Sequence, residues 1–260
     1  MKHGTMVVVA NALMFAGCSA MDGASGEPVG EESSSLGGIS FTVASASGGR
    51  AGSSAGTSTT GGRGGAAPCS GPVQVLSLQN GLNGYDGERD NYLVEKAPTM
   101  NESSRPIIFA HGDVTGDEAS ALIRWDLSSL APSATICSAT ASLHVARPSR
   151  QSYQVSPLLR DWAFDQSSWN QAIITQAWEI AGALGTSDRG SGFATVSGPV
   201  NDVSVSFTIP APIVKGWVSD APTNHGLIIA NRTNGIAIGF ASRLATVVDQ
   251  RPLLTVRYVP

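Results

Sequence analysis

The chain has 260 residues, of which 42% are hydrophobic and only 14% charged, with 30 Gly and 14 Pro. That is enough apolar material for one or two packed domains, and it excludes a coiled coil or a highly charged disordered chain. Sixteen Lys and Arg against 20 Asp and Glu leave a net charge of −4. Without a broad basic field to grip a phosphate backbone, nucleic acid is not an expected partner.

The amino terminus, Met1-Lys2-His3, precedes an apolar run over residues 6–16 that only Asn11 interrupts. The run is too short for the ~20-residue helix that crosses a bilayer, but it has the length of a signal-peptide core. It ends in Phe15-Ala16-Gly17-Cys18-Ser19. Small residues directly before a cysteine resemble the bacterial lipobox, although Phe15 stands where Leu is commonest. The resemblance implies that residues 1–17 are removed and that Cys18 carries the lipid. Membrane attachment would then be through acyl chains only, at ~0.8 kcal/mol per buried methylene. A plain secretory signal that contains a cysteine is the alternative. The expected location is outside the cytoplasm, as a secreted cell-envelope lipoprotein at the outer membrane or cell surface.

Residues 18–70 are rich in Gly, Ser and Ala. Such a stretch buries too little apolar area to offset its ordering entropy, so it reads as a disordered tether. A coil of ~50 such residues reaches roughly 40 Å. Ile39-Ser40-Phe41-Thr42-Val43 is an isolated strand-like patch. Gly52-Ser53-Ser54-Ala55-Gly56 matches a nucleophile elbow by letter, but it lacks the strand and helix that motif needs. With Cys18 assigned to lipid, Cys69 and Cys137 remain as a pair in an exported chain. A bridge would close a loop of ~68 residues and contribute roughly 4 kcal/mol by chain entropy. Two unrelated thiols are the alternative.

Residues 71–260 alternate short runs of Val, Ile, Thr and aromatics with Gly, Pro, Asn, Asp and Ser breaks, the rhythm of an all-β sandwich or barrel. Strands are predicted at 73–78, 91–95, 107–111, 119–126, 135–147, 152–158, 203–209, 226–230, 236–242 and 253–259. Period-two alternation is clearest in Ala139-Ala141-Leu143-Val145 and Val203-Val205-Phe207-Ile209, which requires one apolar face on each strand. Residues 211–218 are the helical exception, with Ile213, Val214 and Trp217 at helical spacing.

A series of blocks then follows in a recognisable order. Asp90-Asn91-Tyr92-Leu93 and Pro98-Thr99-Met100-Asn101 open it. Leu122-Ile123-Arg124-Trp125-Asp126-Leu127-Ser128-Ser129-Leu130, residues 133–136 and residues 138–143 continue it. Arg160-Asp161-Trp162, Ser168-Trp169-Asn170, Trp178, Gly182-Ala183, residues 213–217, Asn224-His225-Gly226-Leu227, Ser242-Arg243 and Arg251-Pro252-Leu253-Leu254 with Tyr258 complete it. Together they resemble the DNRLRE domain, also classed as family 96 carbohydrate-binding modules, over residues 85–260. Trp125 replaces the usual Phe. Leu244 replaces the Glu that normally follows Ser-Arg, which puts the ion pairing of Arg243 in question. The resemblance implies an antiparallel jelly-roll β-sandwich with one or two short helices, and non-catalytic binding of a polysaccharide.

Trp125 shares a period-two face with Ile123 and Leu127, and Trp217 shares the helical stripe, so both are expected in the core. Trp162, Trp169 and Trp178 are also expected in the core; a sugar-stacking platform built from the five Trp is the alternative. Tyr85, Tyr92 and Tyr153 are the candidate sugar contacts, because a ring offers an apolar face to a pyranose and keeps a polar tip wet. Arg89, Lys96 and Arg105 could converge on uronate carboxylates, as planar guanidinium forks suit; scattered solubilising charges are the alternative. Within residues 111–118, Asp113, Asp117 and Glu118 could ligate a structural calcium ion, and acidic turns without metal are the alternative. No other cofactor is expected. His111, His144 and His225 assemble no catalytic spacing, so the chain reads as a binding protein and not an enzyme. A structural or adhesive envelope protein that binds protein or matrix instead of sugar is the rival reading.

Overall fold

The computed structural model describes residues 69–112, 116–231 and 235–260. The expected signal, the expected lipidation at Cys18 and the expected tether up to residue 68 fall outside the described residues, as does Asp113. No helix among the described residues is long and apolar enough to cross a membrane.

The central element is a 13-residue strand, Thr135–Arg147. Its inward side chains Ala139, Ala141, Leu143 and Val145 are all fully buried. Two of them are small because large residues face them from both sides. Ala139 lies opposite Ile209 on one neighbour and Val256 on the other, and Ala141 lies opposite Phe207 and Leu254. Large against small across neighbouring strands fills this face of the sheet at interior packing density.

In chain order the strands are β1 (Gln74–Leu78), β2 (Glu88–Val94), β3 (Ile107–Ala110), β4 (Ala119–Trp125), β5 (Thr135–Arg147), β6 (Ser149–Pro157), β7 (Gln171–Ile173), β8 (Gln176–Ala177), β9 (Ala194–Gly198), β10 (Ser204–Ile209), β11 (Leu227–Ala230), β12 (Ile238–Ala241) and β13 (Leu253–Val259). One sheet runs β1-β13-β5-β12-β3, with β10 also on β5; the other runs β2-β4-β11-β6-β9, and β7 pairs with β8. All pairings are antiparallel. Ile123, Tyr153 and Ile229 of one sheet meet Ile108, Phe240 and Val256 of the other in a single buried core. The chain is therefore the all-β sandwich expected from its sequence. The helix α1 (Ala211–Ser219) forms where predicted and buries Val214, Trp217 and Val218. Lys215 Nζ ties it to the β4–β5 connection by donating to the carbonyls of Pro132 at 2.7 Å and Ala134 at 3.1 Å.

Three strands, β7, β8 and β9, are not among those predicted. β7 and β8 belong to the long connection from Leu158 to Gly190, which covers the outer face of the five-stranded sheet. Leu93, Leu122, Ile228 and Ala230 on that face form a second buried cluster with Trp162, Trp169 and Trp178. The connection is irregular, yet its polar groups are met. Trp162 Nε1–H donates to the His225 carbonyl at 2.8 Å and Trp178 Nε1–H to the Ser168 carbonyl at 2.9 Å. Fully buried Asp188 accepts from the backbone N–H of Glu179, Ile180 and Gly185, and Arg160 Nε lies 2.8 Å from it. At Gly182, φ is +78° and an added Cβ would come within 2.5 Å of the Trp169 ring, so only glycine lets the chain close over that indole.

Cys69 and Cys137 form a disulfide across 68 residues, with their Cα atoms 5.6 Å apart. It fixes the start of the sandwich to β5. Replacing both cysteines by serine removes a constraint worth about 4 kcal/mol by the chain-entropy estimate. The expected outcome is a lower midpoint of urea unfolding; an unchanged midpoint would show that the bridge does not stabilise the sandwich.

Candidate functional site

β2 is the edge strand of its sheet, and its seven-residue register with β4 decides where its side chains go. Glu88, Asp90 and Tyr92 lie opposite Trp125, Ile123 and Ala121, and so face the space between the sheets. Arg89, Asn91 and Leu93 face the other way, against the long connection. Asn91 Nδ2 donates to the Ser167 carbonyl at 3.0 Å and to its hydroxyl at 2.8 Å. Asn101 Nδ2 adds bonds of 2.8 Å to the carbonyls of Phe164 and Ser167. These amides hold the connection to the sheet edge.

Glu88 and Asp90 are both fully buried. The Asp90 carboxylate accepts the backbone N–H of Arg243 at 2.5 Å, with Arg243 Nε 3.8 Å away. Arg243, whose usual Glu neighbour is Leu244 here, thus takes Asp90 as its acidic partner. Its guanidinium and that of Arg89 lie 5.1 Å and 5.3 Å from the centre of the Phe164 ring, a cation–π arrangement. Burial, with repulsion from Asp90, pushes Glu88 well above the usual carboxylate range. Burial pushes Asp90 up to about 7, against the opposing pull of the Arg243 N–H and guanidinium. Burial of both carboxyls favours the protonated form of each.

A cleft opens at each end of β2. At its start a cleft of about 540 Å³ is lined by Asp86, Arg89, Arg124 and Asp126 above Trp125 and Trp217. At its end a cleft of about 510 Å³ is lined by Tyr92, Phe109, His111, Asp117 and Arg147. Tyr92 and Phe109 meet edge to face, with ring centres 5.4 Å apart. Arg147 is exposed at the end of β5 and has no ion pair among the described residues. Lys96 Nζ lies 2.5 Å from Asp117, and His111 Nδ1 lies 4.0 Å from the same carboxylate. Burial, with the Glu102 charge, raises the Tyr92 hydroxyl above its ordinary pKa, so it stays a neutral donor.

The structure divides the sequence-predicted residues between these clefts. Arg89 lines the first, and Tyr85 lies beside it with its hydroxyl donating to the Asp126 carbonyl at 3.2 Å. Tyr92 and Asp117 line the second, with Lys96 attached through Asp117. Arg105 belongs to neither lining and pairs with Glu102 at 2.7 Å. Tyr153 is a correction: it is fully buried, and its hydroxyl donates to the Ile236 carbonyl and accepts from the Ser149 hydroxyl, so no ring face is open to a sugar. It shares the period-two face of Val155, a signal the sequence does contain. All five Trp are buried. Glu118 meets Glu95 through its backbone N–H. Among the described residues no three His, Cys, Asp or Glu are grouped to hold a metal ion. Arg147 and Phe109 are the site residues that sequence reasoning missed; the cue for Arg147 is its place at a strand end before Pro148. Compared with known proteins, the chain matches no family model and no curated sequence.

The carboxyl pair makes stability depend on pH with a defined sign. An unfolded Asp titrates near 3.9, while folded Asp90 titrates near 7. Between these values the folded state binds the extra proton, so its stability falls as pH rises from about 4 to 7, and the raised Glu88 carboxyl adds to that fall. Asp90→Asn, which keeps the acceptor for Arg243, is expected to flatten that segment of a melting temperature against pH profile. An equally steep segment in the variant would contradict it.

Proposed function

We propose that the chain is a non-catalytic polysaccharide-binding protein, a DNRLRE-type module carried outside the cytoplasm on a lipid-anchored tether through Cys18. The observation that carries this reading is the cleft at the end of β2. It combines a half-buried aromatic pair, Tyr92 and Phe109, with Arg147, a cation that has no ion pair among the described residues. Aromatic walls bind the C–H face of a pyranose, and a guanidinium fork binds a carboxylate through two parallel hydrogen bonds. Lys96 offsets the Asp117 carboxylate, so Arg147 is left as the charge that favours an anion. A uronate-containing chain supplies both the apolar ring face and the charge. The ordered blocks that resemble carbohydrate-binding modules support the same ligand class.

Affinity electrophoresis through gels containing a polyuronate tests this. The full chain is expected to be retarded, and Tyr92→Ala or Arg147→Ala to weaken retention about tenfold, equivalent to ~1.4 kcal/mol. Mobility that no acidic polysaccharide changes would overturn the reading and favour a protein or matrix partner.

A further inference from the structure

The two sheets differ in what lies on their outer faces. The long connection covers the five-stranded sheet, whereas the outward side chains of the six-stranded sheet are half-buried or exposed. On its central strand β5, Thr140 lies between Thr208 of β10 and Thr255 of β13, and Ser77 of β1 extends that row. Ser142 lies opposite Ser206, and Ser138 opposite Arg257. Among the described residues none of these hydroxyls is spent on a hydrogen bond within the protein. None of the six strands contains Asp or Glu, in a chain that has 20 of them. Asp202, just before β10, stands at one border of the face, 3.6 Å from His144 Nε2.

This face runs into the cleft at the end of β2. Ile238 and Phe240 point into the core, so Gly239 between them points out. A Cβ built on Gly239 would lie 2.8 Å from the Phe109 ring and 3.0 Å from Arg147 Cβ. The Phe109 wall and the Arg147 cation of the cleft therefore stand on the outer face of the six-stranded sheet. From Arg147 the hydroxyl-bearing strip follows β5 back to Ser138 and Arg257, roughly 30 Å at ~3.3 Å per strand residue. Arg257 is exposed and, like Arg147, has no ion pair among the described residues.

Charge and chemistry select the occupant. Strands without a carboxylate, with a guanidinium at each end of the strip, attract an extended polyanion. Ser and Thr hydroxyls donate and accept, as sugar hydroxyls do. Two widely spaced cations are too few to hold nucleic acid, whose binding rests on many phosphate contacts. The outward side chains of β5 and β10 include no aromatic anchor of the kind that protein interfaces centre on. We propose that this face continues the binding site, so that one polyuronate chain runs from the Tyr92–Arg147 cleft along β5 to Arg257. The proposal rests on the polyuronate reading of the cleft and adds the footprint and minimum length of the ligand.

The test compares short and long ligands on the full chain, by titration calorimetry with tetrameric and decameric oligogalacturonates and oligoalginates. The tetramer reads the cleft, and the decamer reads the cleft together with the strip. Overlapping tetramer frames alone raise decamer affinity only several-fold. For at least one uronate the ratio of decamer to tetramer affinity is expected to reach about thirtyfold or more, equivalent to ~2 kcal/mol. Arg257→Ala should lower that ratio about three- to fivefold, the range for one exposed ion pair. Thr208→Glu, which sets a carboxylate at an exposed position beside Thr140, should return it to the several-fold level. A ratio no larger than overlapping frames give, or one that Thr208→Glu leaves unchanged, would overturn the extension while the cleft stands. A decamer complex that sediments with two protein copies would overturn it too, since the gain would then come from bridging. No binding of either length would overturn the cleft and its extension together.

Discussion

The register between β2 and β4 is the constraint on which the site depends. Side chains on a strand alternate faces, so a slip of one residue would exchange the two sets of β2 side chains. Glu88, Asp90 and Tyr92 would turn outward, and Arg89, Asn91 and Leu93 would enter the space between the sheets. Seven consecutive pairs, from Glu88 opposite Trp125 to Val94 opposite Ala119, hold the observed alignment. The buried carboxyls contribute to that alignment, since only one register brings Asp90 to the Arg243 N–H. A buried charge pair is weak evidence for net stability, and we read this one as a device that selects the register.

An edge strand with open backbone groups is a hazard for aggregation. β2 is managed by side chains and loops instead of a further strand. Asn80 exchanges two hydrogen bonds with the Glu88 backbone, at 2.9 Å and 3.1 Å, and Asn91 Oδ1 accepts the Glu102 N–H at 3.1 Å. Arg243 and Arg89 complete the cover around Phe164. Clefts form where this cover ends, one beyond Glu88 and one beyond Tyr92. The same economy places charged and aromatic groups at both openings without a dedicated binding loop.

Much of the fold was legible in the sequence, for a physical reason. Strands with one wet face advertise themselves by alternation, so β5 and β13 were bounded correctly, and α1 declared itself through Val214 and Trp217. The covering connection from Leu158 to Gly190 did not, because its packing comes from individual indoles and buried Asp188 and not from a repeating pattern. Its trace lies elsewhere, in β4 and β11. Leu227-Ile228-Ile229-Ala230 is apolar at every position, the mark of a strand buried on both faces. The clefts were half legible. Tyr92 and Arg89 stand in the opening motif, whereas Arg147 arrives from another sheet and no local pattern connects it to them. Glu88 and Asp90 were hidden by the ordinary expectation that carboxyls stay exposed.

The proposed binding at the Tyr92–Arg147 cleft requires an electrostatic contribution. Titration calorimetry of the full chain with an oligouronate at low and high salt examines it directly. Raising ionic strength from about 0.05 M to about 0.5 M shortens the Debye length severalfold. Affinity should then fall by about three- to tenfold while binding persists through ring contacts. An affinity indifferent to salt, or no heat at either ionic strength, would contradict it.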